Sequence, residues 1–222
     1  MIVIEIRNNE VRAVQTSGKK RSTEIIRTNS IEIEPYLIED LIAGNTDELK
    51  AKFDKLLEEL AFNYKSLKYT LVVNLEGIMT QRVTIPKVKD KQIPLSLNSA
   101  LISSSVPVSK ESIVAFAVLR DKNKETYNIL SQVLQRSISD NLTIIFNQLG
   151  IKIQYIDVSP NTIIKAFNRS SLVESEAPLK LVVDLSKSEA RYYQFKDNVF
   201  ELNYLENSSF KKVDSYLELF KL

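Results

Sequence analysis

MIVIEIRNNEVRAVQ (residues 1–15) is the stretch of sequence from which the fold is predicted. Apolar residues alternate or cluster over residues 1–6 and 11–15, and the polar corner Arg7-Asn8-Asn9 separates them, so the pattern predicts a β-hairpin. A carboxylate, Glu5, lies near the end of the first strand. The stretch therefore predicts a compact two-stranded unit whose corner carries an arginine side chain.

The same unit recurs about 180 residues further along the chain. The apolar run LKLVVDL (residues 179–185) carries Asp184 near its end, and the corner SKSEA (186–190) leads into RYYQF (191–195). An apolar strand with an acidic end, a polar corner and a hairpin strand thus occur twice. Two copies of one supersecondary unit predict a duplicated fold with one copy in each of two lobes.

Strands and helices alternate between the two hairpins, as expected for an α/β chain. The near-continuous apolar run YTLVVNL (69–75) predicts a strand covered on both faces. Asn45 and Glu48 match a capping box that opens an amphipathic helix. Ser137 and Asp140 are expected to open a second such helix, which ends at Gly150. The other predicted elements are strands at 24–33, 79–86, 112–119, 126–134 and 151–158, a helix within 89–105 whose start Pro94 delays or kinks, and a short helix with Pro160 in its first turn.

Composition excludes several classes of function. The 222 residues contain 30 basic and 28 acidic residues, and this near balance gives no field that would attract nucleic acid or an anionic membrane surface. Cysteine and histidine are absent, which excludes disulfides, histidine-dependent nucleophilic catalysis and the usual zinc sites. The four glycines are far apart, whereas Walker and dinucleotide loops need several together. No apolar run approaches the roughly 18 residues of a membrane span, so no direct membrane insertion is expected.

Taken in order, these segments resemble the actin-like PilM proteins of type IV pilus assembly and, more distantly, the cell-division protein FtsA. The opening pattern I-D-I-G-S-S-S-V-K-A-V of PilM-like chains aligns without gaps on residues 4–14. The likeness covers most of residues 1–210. Its other segments are LVVNLEGIMTQRVTIP (71–86), VPVSKESIVAFAVL (106–119), NQLGIKIQYIDVSPNTIIKAF (147–167) and LVVDLSKSEARYYQFKDNVF (181–200).

The resemblance implies an actin-like, ribonuclease-H-like mixed-sheet lobe, with an inserted small α+β subdomain and the start of a second lobe. The first lobe would comprise residues 1–78 and 154–175, the inserted subdomain residues 79–153, and the partial or reduced second lobe residues 178–222. A full-length relative would continue well beyond Leu222. The chain would then be either a fragment or a reduced form.

Actin-type ATPases grip phosphates between two glycine-containing hairpin turns, and carboxylates hold Mg²⁺. Here Arg7 and Ser186 occupy the glycine positions, and Glu10 and Glu189 bring carboxylates where small hydroxyl residues usually lie. Added acids repel a polyphosphate. We therefore expect a pseudo-ATPase with neither ATP nor Mg²⁺, no metal site and no catalytic residue. The degenerate phosphate-loop positions implied by the resemblance are Glu5, Arg7, Asn8, Asn9, Arg12, Asp184, Ser186 and Ser188.

PilM-like proteins dock the short cytoplasmic tail of a PilN-type inner-membrane protein, in a groove between the first lobe and the inserted subdomain. The resemblance therefore implies an adaptor of a pilus or type II-like secretion assembly. Partners would include this tail and other assembly components, and would hold the protein at the inner face of the cytoplasmic membrane. The expected groove residues are Pro86, Val106, Pro107, Val108, Tyr155 and Pro160.

Three alternatives remain open. The chain could be the N-terminal part of an active actin-like ATPase. A ribonuclease-H-type metal reaction would use the strand-end acids Glu5, Asp157 and Asp184, but in the alignment Glu5 and Asp184 belong to different lobes and the charge is balanced. An FtsA-like polymerising protein would use KKVDSYLELFKL (211–222) as a membrane helix, whereas we expect this segment to dock on its own domain.

Overall fold

The computed structural model describes residues 1–19, 22–61, 63–119, 125–174, 176–185 and 189–207. Several expected features lie outside these described residues: the hairpin-tip residues Lys20 and Arg21, most of the charged turn at 120–125, the positions Ser186 and Ser188, and the C-terminal helix at 211–222.

The described backbone forms eleven strands and five α-helices. The strands are β1 (Ile2–Arg7), β2 (Glu10–Lys19), β3 (Ser22–Glu32), β4 (Tyr69–Asn74), β5 (Met79–Pro86), β6 (Ser112–Val118), β7 (Thr126–Gln135), β8 (Ile153–Val158), β9 (Leu179–Leu185), β10 (Glu189–Lys196) and β11 (Val199–Asn207). The helices are α1 (Tyr36–Ala43), α2 (Asp47–Leu60), α3 (Ile93–Ser103), α4 (Arg136–Gln148) and α5 (Ser159–Phe167).

The first hairpin is the middle of a five-stranded mixed sheet with the order β3-β2-β1-β4-β8. β1 pairs antiparallel with β2 and parallel with β4, and β4 pairs parallel with β8. Ile2, Ile4 and Ile6 of β1 are fully buried, and β4 is buried over most of its length, as its apolar run predicts. Helices α2 and α4 close the core, where the rings of Phe53 and Phe146 lie 5.0 Å apart.

A smaller sheet has the order β5-β7-β6 and carries its own apolar core. β6 and β7 pair antiparallel over their whole common length. Leu97 and Leu101 of α3 are fully buried in this core with Ile129 of β7. Pro94 lies in the first turn of α3, which starts only at Ile93, so the expected late start is confirmed.

The second hairpin belongs to a three-stranded antiparallel sheet with the order β11-β10-β9. Asp197 and Asn198 make the β10–β11 turn with φ of 49° and 65°, a conformation that Asn and Asp adopt more readily than other non-glycine residues. Phe167 of α5 stacks on Phe195 of β10 with 3.7 Å between ring centroids.

Two compact units divide the chain. One consists of residues 1–79 and 83–159, and the other of residues 80–82 and 160–222. The finer predicted division, with an inserted subdomain at 79–153, stays a prediction.

The predicted capping box of the first amphipathic helix is wrong. α2 begins at Asp47 after the N-cap residue Thr46, and no side chain caps it. Asn45 instead donates from Nδ2 to Asp40 Oδ1 at 3.3 Å, and Glu48 accepts the hydroxyl of Tyr36 at 2.8 Å. The physical reason is helix α1, which the sequence pattern did not reveal. Its residue Asp40 binds the Asn45 side chain, which therefore does not cap α2.

The predicted start of α4 at Ser137 and Asp140 is also wrong. The helix begins at Arg136, directly after the last residue of β7, and no side chain caps it. The Arg136 amide donates to the Glu111 carbonyl at 2.7 Å, so the residue just before β6 satisfies one N–H at the helix start. The predicted end is confirmed: Gly150 follows the C-cap with φ of 74°, and the Ile151 amide donates to the Phe146 carbonyl.

Candidate functional site

The corner of the first hairpin holds a buried arginine. Arg7 is 2% exposed, and its Nη2 lies 3.0 Å from Glu5 Oε1. The amide of Asn74, the last residue of β4, donates to the same carboxylate oxygen at 2.8 Å. Glu5 accepts from both side chains, so the strand-end carboxylate is paired within the sheet and the charge of Arg7 faces an acid rather than solvent.

The rest of this corner is tied to neighbouring segments. Asn8 Oδ1 accepts the amide of Glu76, which follows β4, at 3.0 Å. The Asn9 carbonyl accepts the amide of Ile33 at 3.0 Å. Just past the corner, Arg12 Nε lies 2.8 Å from Glu10 Oε2, and Arg12 is opposite Glu5 in the strand register. The predicted positions Glu5, Arg7, Asn8, Asn9 and Arg12 therefore come together at one end of the sheet.

The second hairpin has a related arrangement. Asp184 of β9 is opposite Arg191 of β10 in the strand register. Arg191 Nη2 lies 3.5 Å from Glu189 Oε2, and both side chains are almost fully buried. The corner between β9 and β10, with the predicted positions Ser186 and Ser188, lies outside the described residues.

The two hairpins correspond residue by residue at a constant shift of 179 positions. Glu5 corresponds to Asp184, Glu10 to Glu189 and Arg12 to Arg191. Each copy therefore combines a strand-end acid with a Glu-x-Arg ion pair after the corner. Arg191 was missed from the sequence although this alignment would have found it. Asn74 was also missed, and no local signal marks it, because its contact with Glu5 spans 69 positions.

A groove of about 610 Å³ lies in the first unit. Its walls are the loop after α3, the start of β6, the end of β7 and the segment before β5. The lining residues are Gly77, Met79, Pro107, Val108, Ser109, Glu111, Ser112, Val133, Gln135 and Ser137. A second groove of about 220 Å³ shares Val108, Ser109 and Ser112 and continues between α3 and β6.

Two of the six predicted groove residues, Pro107 and Val108, line this groove. Val106 is adjacent but buried in the core under α3. The other three predicted residues do not line it. Pro86 is exposed at the end of β5, Tyr155 is 70% exposed on the edge strand β8, and Pro160 is buried at the start of α5 in the other unit.

The polar part of the lining was missed from the sequence. Ser109 and Ser112 are linked by their hydroxyls at 3.4 Å, the Ser109 amide donates to Ser112 Oγ at 3.1 Å, and the Glu111 amide donates to Ser109 Oγ at 3.1 Å. Serines that bond to nearby backbone amides are typical of tight turns, and this pattern after a helix could have marked the loop.

No protein-family model and no curated protein sequence matches the chain. Solved structures do match. The chain aligns over 100% of its length with the PilM-PilN type IV pilus biogenesis complex, at a TM-score of 0.70 and 16% identity, and spans 66% of that chain, slightly under two thirds. A Bacteroides thetaiotaomicron protein of unknown function with an actin-like ATPase fold matches at a TM-score of 0.53 and 13% identity, over 99% of this chain and 74% of that one.

The chain has an actin-like fold. A third structure agrees, the cytoplasmic domain of EpsL, an inner membrane component of the type II secretion system of Vibrio cholerae, at a TM-score of 0.52 and 12% identity, covering 99% of this chain and 73% of that one. The predicted fold class is therefore confirmed. Among the described residues of this actin-like chain, no helix is both long and apolar enough to cross a bilayer.

Proposed function

We propose that this chain is a non-catalytic, actin-like adaptor of a type IV pilus or type II-like secretion assembly. It would bind an extended cytoplasmic segment of an inner-membrane partner in the groove around Val108, Ser109 and Ser112, and so be held at the inner face of the membrane. The observation that carries the proposal is this groove in a chain that shares its fold with the PilM-PilN complex and with the EpsL cytoplasmic domain.

The lining of the groove suits an extended peptide. Apolar surface comes from Met79, Pro107, Val108 and Val133, and hydroxyl and amide groups are spread between them. Binding sites commonly combine apolar walls with a few polar groups that fix the orientation of the ligand. The serine hydrogen bonds of the 109–112 loop hold one wall in place before binding, which lowers the ordering cost of association.

The two hairpins support a role without nucleotide. A phosphate at the first corner would have to compete with Glu5 for the buried guanidinium of Arg7. After the two corners, Arg12 is paired with Glu10 and Arg191 with Glu189, so a phosphate at either corner would also have to compete with these carboxylates. The residues present therefore fit Mg-ATP poorly, and the proposed adaptor binds neither ATP nor Mg²⁺. The runner-up function is an actin-like ATPase, favoured by the fold it shares with the Bacteroides protein.

A peptide-binding measurement tests the adaptor proposal. The probe is a synthetic peptide with the cytoplasmic tail sequence of a single-span inner-membrane protein encoded beside the gene for this chain. Ser112→Arg places a long cation in the groove and should weaken binding at least about tenfold, the equivalent of 1.4 kcal/mol. Ser99→Arg is the matched control, because Ser99 is exposed on α3 and does not line the groove.

Isothermal titration calorimetry gives the dissociation constants of the wild type and both variants. The proposal is supported if only Ser112→Arg loses affinity. It fails if no tail peptide binds the wild type, or if both arginine variants bind as tightly as the wild type.

A further inference from the structure

β6 is an edge strand with open hydrogen-bonding groups. The Leu119 amide donates to the Asn128 carbonyl at 2.8 Å and the Arg136 amide to the Glu111 carbonyl at 2.7 Å, which places residues of odd number on β6 toward β7. The N–H and C=O groups of Val114, Phe116 and Val118 therefore point to the other side. In the part of the chain that the structure describes, no strand pairs there.

This edge lacks the devices that usually keep edge strands apart. Ser112–Val118 contains no charged residue and no proline. Its register with β7 runs without a bulge. Phe116 is 41% exposed and Val118 is 44% exposed, and Ala115 and Ala117 are exposed as well. Natural sheets protect their edges with charges, proline or bulges, because an open apolar edge is a template for another strand.

The sequence of this edge is a palindrome centred on an exposed residue. Residues 114–118 read Val-Ala-Phe-Ala-Val, symmetric about Phe116. A two-fold axis through Phe116 and perpendicular to the sheet would pair β6 antiparallel with itself. Each Phe116 would then lie opposite the other Phe116, Val114 opposite Val118, and Ala115 opposite Ala117. An isologous interface needs such a self-complementary surface.

We propose that β6 pairs with β6 of a second copy of this chain, which joins two three-stranded sheets into one of six strands. The outward N–H and C=O groups of Val114, Phe116 and Val118 would exchange hydrogen bonds across the two-fold axis. We assign the partner strand to a second copy of this chain, rather than to an unrelated strand, because the palindrome places identical residue types opposite each other along 114–118. The pairing does not rest on the adaptor function, although Val114 and Phe116 also line the second groove beside Val108, Ser109 and Ser112.

A charge-swap experiment tests the symmetry. In Phe116→Lys, and likewise in Phe116→Glu, two like charges face each other on the axis, so each variant alone should be monomeric over a concentration series in which the wild type dimerises. An equimolar mixture should dimerise again, since opposite charges then meet. Ile144→Lys is the control, because Ile144 is 48% exposed and belongs to α4 rather than to β6. Sedimentation velocity measures each state.

A disulfide experiment tests the register and does not depend on the stability of a charged variant. The chain has no cysteine of its own. In the proposed register Ala115 and Ala117 of the two copies form a non-hydrogen-bonded pair with Cα atoms about 4.5 Å apart, within disulfide range. A mixture of Ala115→Cys and Ala117→Cys should therefore cross-link on mild oxidation. Each variant alone should not, because the like positions lie more than about 7 Å apart.

Restored dimers in the charge mixture and a cross-link specific to the cysteine mixture support the proposal. A wild type that stays monomeric throughout the concentration series would overturn it, and this is also the result expected if β6 receives a strand from a different protein. A dimer that tolerates both charged variants, or equal cross-linking of Ala115→Cys alone, would overturn it as well.

Discussion

Arg7 is a charged side chain almost fully withdrawn from water at the end of β1. Its ion pair with Glu5 and the contact of Asn74 with the same carboxylate compensate for the lost hydration. Breaking a buried pair leaves an uncompensated charge, whereas breaking an exposed pair costs little. The first hairpin contains one arginine of each kind: Arg7 is buried, whereas Arg12 is partly exposed.

We expect Arg7→Ala to lower the free energy of unfolding by roughly 3 kcal/mol, because Glu5 keeps its charge without its guanidinium partner. Arg12→Ala should cost less, about 1 kcal/mol, because the Arg12 side chain is 32% exposed whereas Arg7 is almost fully buried, and the Arg12–Glu10 pair is only partly buried. Urea unfolding measures both variants. Equal losses in the two variants would contradict the structural role assigned to Arg7.

Two buried tyrosines should make stability depend on alkaline pH. Tyr69 donates its hydroxyl to the Tyr64 carbonyl at 2.8 Å, and Tyr64 donates to Asp54 Oδ1 at 2.7 Å. Burial, and then the bond to Asp54, raise the pKa of Tyr64 to about 12, and burial also raises the pKa of Tyr69. The folded state therefore holds these protons at a pH where the unfolded state releases them.

The free energy of unfolding should fall as the pH rises from about 10 toward 12, because the unfolded tyrosines ionise first. Tyr64→Phe removes one of the groups responsible and should make the decline shallower. Denaturant unfolding at several pH values measures the slope. A slope that is the same in the wild type and in Tyr64→Phe would show that Tyr64 does not contribute.

At the scale of elements, the strands could be predicted from the sequence more reliably than the helix starts. β4 follows from its own composition, because a continuous apolar run must be covered on both faces. A helix start is harder to predict, because a candidate capping side chain can instead bond to a neighbouring element. Asn45 donates to Asp40 of α1 instead of capping α2. α1 has only eight residues, between Pro35 and Gly44, and is too short and too apolar to show a helical hydrophobic periodicity. The helix end at Gly150 was predictable, because the left-handed conformation needed there is a local property.

That local requirement gives a prediction for Gly150. Its φ is 74°, and a Cβ added there would meet no atom within 4 Å, so only backbone strain opposes a substitution. Gly150→Ala should therefore cost about 1 kcal/mol, and Gly150→Asn should cost less because asparagine tolerates this conformation better. Thermal unfolding compares the two variants. Equal stability of Gly150→Ala and wild type would contradict the assignment.

At the scale of the whole molecule, the actin-like fold could be predicted because its elements occur in a fixed order and its hairpin occurs twice. The groove could be predicted only in part. Its lining comes from three separate stretches of sequence, residues 77–79, 107–112 and 133–137, and no pattern shows which side chains converge. Pro107 and Val108 belong to a junction that the resemblance singled out. Tyr155 does not line the groove, because it projects from an edge strand into solvent.

The response to nucleotide is the property of the whole chain that best separates an adaptor from an ATPase. A ligand present at 100 times its dissociation constant stabilises a protein by about 2.7 kcal/mol, which for a chain of this size raises the melting temperature by roughly 5–10 °C. Because Arg7 is held by Glu5, Arg12 by Glu10 and Arg191 by Glu189, we expect Mg-ATP to leave the melting temperature unchanged. Differential scanning fluorimetry measures the shift, with MgCl₂ alone and sodium sulfate at matched ionic strength as controls. A rise of several degrees with Mg-ATP and with neither control would refute the pseudo-ATPase and favour the runner-up, even if the tail peptide also binds the groove.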